Sequence, residues 1–389
     1  MVKNNNEVYQ TLDYIPEFKC VGKDCIDSCC IGWNIEFDKK TYQKYKNSSD
    51  KIINSISQKY VVKKEIKSDM AYAKVQPKKN SCPFLTKNNL CKAHSLLGKE
   101  NLSLGCATYP RIIKKFKSTS FISGELSCPE IARLCLSKPN LKTKELTKDK
   151  LENIFNSNQI HSFEIPRDLP KDIMEFIKKT ILKLSNKDTF FKNLEEIIQS
   201  LCKIHNMAKS RDFRSEKEKE ILKENNLLMQ IDFFPKFFFT NLADHSRFLK
   251  TCIRAAQKSM YFNSSKKEFK KNFMYNYKYK FKKFMRENQF ILKNFFKNEF
   301  IKNVEKFEIS IDVFDNFIRE VLFQINLSNF LIICLLFEDK KRLTIDDYIE
   351  VMSAISKDIQ NSEEKKKLII NFFKKIDKND LSIRLFDIY

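Results

Sequence analysis

Cys20-Val-Gly-Lys-Asp-Cys25-Ile-Asp-Ser-Cys29-Cys30 opens the stretch of sequence that decides how this chain is organised. Nine of the twelve cysteines lie before residue 136, although that part is only about a third of the 389 residues. Clustering of this density indicates one shared cause. Of the five later cysteines, Cys135 stands apart and the other four lie in short segments: Ser81-Cys82-Pro83-Phe84-Leu85, Leu90-Cys91, Cys106-Ala-Thr-Tyr109-Pro110-Arg111 and Ser127-Cys128-Pro129-Glu130.

Disulfides and a metal are the two causes that could gather so many cysteines. The first ten residues are polar and lack the apolar segment of a secretory signal. We therefore expect a cytoplasmic protein, whose reducing surroundings keep thiols free. Dense cysteine in that compartment favours metal binding over a disulfide framework. Thiolates are soft ligands that suit zinc or iron–sulfur iron.

The predicted metal ligands form two groups, and four thiolates suffice for a tetrahedral zinc or a cubane cluster. The spacing differs from the Cys-x-x-Cys pairs of zinc ribbons, so it leaves the metal's identity and the number of metals open. Adjacent Cys29 and Cys30 are not expected to face one ion from an extended backbone. The first cysteine group is Cys20, Cys25, Cys29 and Cys30, and the second cysteine group is Cys82, Cys91, Cys106 and Cys128.

The amino-acid composition limits which classes of protein and which partners are possible for this chain. With 42% apolar residues the chain can bury a core, and its length allows two or three domains. The net charge of +23 favours a polyanionic partner, but Lys, Asn, Ile and Phe are abundant throughout the chain, which is typical of compositional drift. We therefore do not expect nucleic acid as the main partner.

The longest apolar run, Phe330–Phe337, is far short of the roughly 20 residues of a membrane span, so no membrane partner is expected.

The small number of glycines argues against a common type of cofactor site, the glycine-rich loop that binds phosphate. The chain has only five glycines, and none follows Gly124. A Gly-x-Gly-x-x-Gly turn or a Walker A loop needs glycine where the backbone approaches phosphate. A doubly wound nucleotide-binding domain of the usual kind is therefore not expected.

Periodicity predicts a mainly α-helical protein: a small cysteine-rich metal-binding module with short strands over residues 1–138, a linker over 139–168 and an all-helical domain over 169–389. Alternating patterns predict short strands within 32–38, 71–76 and 117–123. Ser127-Cys-Pro-Glu130 fits a capping box that starts a helix. The predicted buried helix faces are Phe314, Phe317, Ile318, Val321, Leu322 and Ile325, and Phe269, Phe273, Tyr277, Phe281 and Phe284.

Lysines alternate with aromatics between Tyr275 and Phe284. Such a run could form a stacking surface for single-stranded nucleic acid. The helical spacing of its aromatics instead favours one buried face with the lysines outside.

Together the cysteine segments resemble those of the flagellin lysine-N-methylase family over about the first 135 residues. The Cys-Cys and Cys-Pro-Phe-Leu elements also occur in a broader cysteine-rich, zinc- or iron-chelating family. The quoted elements are Phe18-Lys-Cys20, Cys25, Cys29-Cys30-x-Gly-Trp33, Cys82-Pro-Phe-Leu85, Leu90-Cys91, Cys106-x-x-Tyr-Pro-Arg111 and Leu126-Ser-Cys128-Pro-Glu-x-Ala-Arg133.

This resemblance implies transfer of methyl groups from S-adenosylmethionine to the lysine ε-amines of flagellin. It also implies an iron–sulfur cluster, of the [4Fe–4S] type, held by the cysteines. Tyr109 and Arg111 are the candidate catalytic and cofactor-binding residues, since a guanidinium offers a fork for a carboxylate. A salt bridge that ties down the cysteine loop is the alternative role for Arg111.

A second class of function stays open from the sequence. A non-enzymatic zinc-binding protein could dock nucleic acid or a protein partner through its lysines. Iron and sulfide in the purified protein, together with binding of S-adenosylmethionine, would separate the enzyme from this alternative.

Overall fold

The computed structural model confirms the mainly α-helical class. It describes residues 8–32, 35–66, 68–155, 165, 167–186, 188–204, 234, 247–261, 265–308, 310–337, 342–360 and 362–376. Trp33, part of the quoted motif, and portions of the predicted linker lie outside the described residues.

Helices make up most of the described chain, and a π-helical turn, Tyr277–Phe281, joins two of them. Short 3-10 turns occur at Ile15–Glu17, Gly22–Asp24, Lys99–Asn101 and Val304–Lys306. The α-helices are α1 (Lys39–Lys46), α2 (Lys51–Tyr60), α3 (Lys92–Leu97), α4 (Leu104–Thr108), α5 (Pro129–Leu136), α6 (Lys148–Ile154), α7 (Lys171–Lys183), α8 (Phe190–Ile204), α9 (Arg247–Tyr261), α10 (Lys266–Asn276), α11 (Lys282–Glu287), α12 (Phe290–Lys302), α13 (Ile311–Leu335), α14 (Ile345–Gln360) and α15 (Glu363–Ile376).

Two small sheets lie in the N-terminal part. The larger has the strand order β5-β6-β1-β7, in which β1 runs parallel to β6 and the other pairs are antiparallel. The smaller is antiparallel, with the order β2-β4-β3. The strands are β1 (Val8–Leu12), β2 (Glu36–Phe37), β3 (Val61–Lys63), β4 (Ala73–Val75), β5 (Arg111–Lys115), β6 (Thr119–Gly124) and β7 (Thr143–Leu146).

The predicted strand segments contain β2 and β4 and all but the last residue of β6, whereas β1, β3, β5 and β7 were not predicted as strands. The division of the chain into 1–138, 139–168 and 169–389 stays a prediction. Part of the middle segment is nevertheless folded: β7 pairs with β1, and Leu146, Leu151 and Phe155 are buried in the main core.

Apolar side chains gather in two cores. The main core joins the four-stranded sheet to the helices from α5 onward. A smaller core lies among β2, β4, α1 and α2, with Phe37, Tyr45 and Phe84 at its centre. Cys128 belongs to the main core, while Cys82, Cys91 and Cys106 pack against the smaller one. The second cysteine group therefore spans the boundary between the two cores.

Helix α13 runs through the main core. Ser310 caps it by accepting a hydrogen bond from the backbone N–H of Val313. All six residues of its predicted apolar face are buried in the main core. The stretch Asp312–Leu335 is long and apolar enough to cross a membrane, but 89% of its most apolar window is buried inside the protein. This pattern is typical of a central core helix.

Candidate functional site

The first cysteine group lies on a loop between β1 and β2. Gly22 adopts a left-handed conformation with φ +57° in the 3-10 turn that follows Cys20. The Cys25 thiol donates to the Asp27 carbonyl at 3.3 Å, and the Ser28 hydroxyl accepts the backbone N–H of Cys30 at 3.2 Å. These bonds fold the loop back on itself instead of leaving it extended.

Cys82 and Cys91 face the same region from the two arms of a tight loop. Asn89 has a φ of 57°, and a bridge pairs Leu85 with Cys91, so the chain reverses direction just before Cys91. The backbone N–H of Cys82 donates to the Cys30 carbonyl at 2.7 Å. This bond joins the two cysteine groups directly.

Cys91 and Cys128 are the N-cap residues of α3 and α5, and Cys106 lies inside the short helix α4. Backbone N–H groups at the start of α5, those of Ile131 and Glu130, lower the pKa of Cys128 against the stronger effect of burial, which raises it to about 12. Unpaired N–H groups at a helix start favour a negatively charged sulfur.

The predicted capping box is wrong by one residue. Cys128, not Ser127, is the N-cap, because Pro129 occupies the first turn of α5. The Ser127 hydroxyl instead meets the Tyr109 hydroxyl at 3.2 Å, and Glu130 pairs with Arg133 at 2.7 Å.

The two groups come together at Cys30, whose thiol lies beside that of Cys82. Cys30 lies within hydrogen-bonding reach of both Cys29 and Cys82. Burial and, to a smaller extent, the proximity of Cys29 raise the pKa of the thiols of Cys25, Cys91 and Cys106, so these three lie in the neighbourhood of Cys29. The expectation that adjacent Cys29 and Cys30 diverge assumed an extended backbone, but they lie in a turn.

Burial opposes ionisation of these thiols. The pKa of Cys106 rises to about 11, chiefly through burial. The pKa of Cys29 rises through its hydrogen bond with Cys30 and through burial, against the nearby ammonium of Lys357. Clustered thiolates in such surroundings need a cation close by.

Sulfur is the donor type that this cluster offers. Within the described parts of the chain, no set of three or more Cys, His, Asp or Glu side chains has an arrangement ready to hold a metal ion. The chemistry of the donors fits zinc or iron–sulfur iron, since all eight candidate residues are cysteines. All eight are free thiols.

Arg111 begins β5 directly after the cis Tyr109–Pro110 bond. Its guanidinium stacks on the Phe18 ring, 4.8 Å from the centroid, and Nη2 donates to the Phe18 carbonyl at 3.3 Å. Its Nε is buried without a hydrogen-bond partner. Burial lowers the pKa of the Arg111 guanidinium, and the nearby thiol groups of Cys128 and Cys20 oppose this shift. Among the residues that the structure describes, Arg111 thus contacts Phe18, two residues before Cys20, and no salt bridge of the alternative kind is present.

Tyr109 lies beside the same thiols. Burial, followed by the charges of Cys128 and Cys29, raises the pKa of its phenol well above the usual value. The phenol is therefore neutral near pH 7 and can donate a hydrogen bond, but it is a poor base.

A cleft of about 650 Å³ lies along α1 and α4, close to Cys106. Its volume falls within the range of ligand pockets. Its mixed charge is suited to a polar segment of polypeptide. The charged residues that line it are Asp38, Lys39, Lys40, Lys44, Asp69, Lys99 and Glu100.

Asp27 and Lys357 were not predicted as site residues. Lys357 lies on α14 and forms an ion pair with Asp27 at 2.6 Å, 330 residues earlier in the chain. No local spacing connects the two, so a single sequence gives no signal for this contact.

Comparisons with known proteins were made for the whole chain. The family model for the FliB lysine N-methylase C-terminal domain matches residues 173–383. The chain is 34% identical over 145 residues to proteins named Lysine-N-methylase from Salmonella typhimurium and Salmonella choleraesuis, which is 37% of this chain and 36% of each relative. It is 34% identical over 128 residues to Flagellar biosynthetic protein FliU of Salmonella muenchen, 33% of this chain and 76% of that protein. The match thus spans about a third of each Lysine-N-methylase, and no solved structure matches.

Proposed function

The chain belongs to the FliB lysine N-methylase family, and from that premise we propose that it is an S-adenosylmethionine-dependent protein-lysine N-methyltransferase. We propose flagellin as its substrate and an iron–sulfur cluster, of the [4Fe–4S] type, as a second cofactor. The observation that carries the proposal is the family match over residues 173–383 in a chain whose earlier cysteines converge.

Methyl transfer to lysine makes few chemical demands. The neutral ε-amine attacks the methyl carbon of the sulfonium in line, so that the N–C bond forms as the S–C bond breaks. S-adenosylhomocysteine leaves, and the new ammonium group releases a proton to water. The protein must chiefly bind and align the two reactants.

Arg111 is the residue that we assign to the anionic end of the methyl donor. Its buried Nε lacks a partner, and a guanidinium binds a carboxylate with two parallel hydrogen bonds. Tyr109 is placed nearby as a neutral hydrogen-bond donor, which orients a ligand but does not remove the lysine proton.

Some of the cysteines of the two groups would hold the cluster, since a [4Fe–4S] cluster takes no more than four thiolates and Cys30 of the first group lies beside Cys82 of the second. When bound, the cluster would supply iron as a Lewis acid that can coordinate a polar group of the methyl donor. The cleft along α1 and α4 is the surface that we assign to the substrate segment, because it shares α4 with Cys106.

The substrate proposal is supported by the names of relatives, two of which are lysine N-methylases and one a flagellar biosynthetic protein. A cytoplasmic location is part of the same proposal, because thiols stay reduced in that compartment.

Incubation of the purified protein with flagellin and methyl-labelled S-adenosylmethionine tests the proposal. We expect label in the ε-N-methyllysines of flagellin. Flagellin whose lysines have been acetylated is the matched control and should take up no label. If the protein binds S-adenosylmethionine and contains iron but leaves flagellin unlabelled, the assignment of flagellin as the substrate is wrong. If it binds no S-adenosylmethionine, the assignment of methyltransferase activity is wrong.

A further inference from the structure

One lysine from the far end of the chain holds the loop of the first cysteine group. Lys357 on α14 has a side chain only 5% exposed. Its Nζ donates to Asp27 Oδ1 at 2.6 Å and to the Ser28 carbonyl oxygen at 3.0 Å. A charged donor that binds a carboxylate and the next carbonyl fixes two consecutive residues.

The two residues that Lys357 holds also shape the loop around them. The Asp27 carbonyl accepts the Cys25 thiol at 3.3 Å. The Ser28 hydroxyl accepts the backbone N–H of Cys30 at 3.2 Å. Fixing Asp27 and Ser28 therefore fixes a cysteine on each side of them.

The stability of the fold does not by itself explain why the buried contact of Lys357 with Asp27 exists. A buried ion pair loses so much hydration that apolar residues of similar size often serve stability as well or better. The position of the charge is more informative, because the ammonium of Lys357 interacts with the Cys29 thiol. α14 also packs against α5, whose N-cap is Cys128.

We propose that Lys357 is a positioning residue which the C-terminal helices contribute to the cysteine site. It sets the conformation of the loop from Cys25 to Cys30 and keeps a positive charge beside the thiols. The first cysteine group consequently meets the second only when α14 is packed in place. The identity of what the thiols hold rests on the proposed function, but the positioning role does not.

Alkylation of the metal-free protein by iodoacetamide, followed by peptide mass spectrometry, tests this role. Loss of a charged hydrogen-bonded contact opens the loop more often, so Lys357→Met should be alkylated at Cys25, Cys29 and Cys30 about tenfold faster or more. Asp27→Asn should show the same change. Lys357→Arg keeps the charge and should restore most of the protection.

Lys365→Met is the matched control. Asp358 is the residue that follows Lys357 on α14, and it forms an ion pair with Lys365 at 2.6 Å. The side chains of this pair are buried to a similar degree as those of Lys357 and Asp27. We expect this variant to leave alkylation of the three cysteines at the wild-type rate. If alkylation became faster to the same extent in Lys357→Met and Lys365→Met, the cause would be a general loosening of the fold, and the proposal would be overturned. An alkylation rate unchanged from the wild type in Lys357→Met or in Asp27→Asn would also overturn it.

Reconstitution with ferrous iron and sulfide provides a second measurement. Lys357→Met should bind less iron and lose the visible absorption of a cluster, and Lys357→Arg should regain it. Full iron content and an unchanged spectrum in Lys357→Met would overturn the positioning role. If the wild-type protein itself takes up no iron, the cluster proposal fails, while the alkylation rates still decide the role of Lys357.

Discussion

Arg111 carries a buried hydrogen-bond donor that no group in the described part of the chain satisfies. A buried donor without a hydrogen-bond partner costs about 1–3 kcal/mol. Here the unpartnered Nε belongs to a guanidinium that is otherwise held against Phe18. An anionic ligand would satisfy this donor, which is why we place the methyl donor beside it.

Replacing Arg111 by Gln should weaken binding of S-adenosylmethionine by roughly 10- to 100-fold, because hydrogen bonds to charged groups contribute about 1.5–3 kcal/mol. Isothermal calorimetry measures this change. Arg133→Gln is the control, since Arg133 is exposed and pairs with Glu130. Equal affinity in the wild type and Arg111→Gln would remove Arg111 from the cofactor site.

Gly124 stands where a side chain has no room. A Cβ there would lie 2.7 Å from Ile131 Cγ2 and 2.7 Å from the Tyr14 hydroxyl oxygen. That hydroxyl already donates to Asn298 Oδ1 at 2.6 Å, and Asn298 in turn donates to the Gly124 carbonyl at 2.8 Å. The close approach joins β6, α5 and α12.

Gly124→Ala should therefore destabilise the protein by about 1–3 kcal/mol through overpacking. Gly105→Ala is the matched control: its Cβ would meet nothing within 4 Å, and alanine favours a helix by up to about 1 kcal/mol. Urea unfolding measures both variants. A Gly124→Ala protein as stable as the wild type would show that this contact can relax.

At the scale of elements, α12 carries a charged residue into the main core. Lys297 is 1% exposed, and its Nζ donates to the Leu141 carbonyl and the Ser185 hydroxyl, each at 2.8 Å. Burial lowers its pKa from 10.5 to about 8. These bonds tie α12 to the segment before β7 and to the end of α7.

The stability of this arrangement should depend on pH. Below about pH 8 Lys297 is charged in both states, so its burial destabilises the fold. Between about 8 and 10.5 the unfolded chain binds more protons, so stability rises with pH. The unfolding free energy of the wild type relative to Lys297→Met should rise by about 3 kcal/mol across this range. Lys178→Met, on an exposed face, should show no such rise, and a flat difference for Lys297→Met would contradict the prediction.

The helices were predicted better than the strands because their signal is local. The aromatic faces from Phe269 and Phe314 onward follow from spacing alone, and the structure buries them as expected. Tyr275 and Tyr279 are exceptions: they are exposed and contact each other on the outer face. The parallel pairing of β1 with β6 joins segments about a hundred residues apart, and no local pattern predicts such a pairing.

For the whole molecule, the cysteine cluster lies where two cores meet. Its residues come from the loop before β2, the arms around Asn89, and helices α4 and α5. The sequence predicts a cysteine site because cysteine is rare and its chemistry is specific, and the set of ligands stays a prediction. It could not predict the ion pair of Lys357 with Asp27, since tertiary packing alone brings α14 to the loop.

The iron and acid-labile sulfide content of anaerobically purified protein tests the central claim most directly. The wild type should be brown, with about four iron and four sulfide atoms per chain. Cys29→Ala and Cys106→Ala should lose most of both, while Cys252→Ala, in the buried core, should keep them. A colourless wild type that holds zinc, or full iron in both Cys29→Ala and Cys106→Ala, would contradict the account.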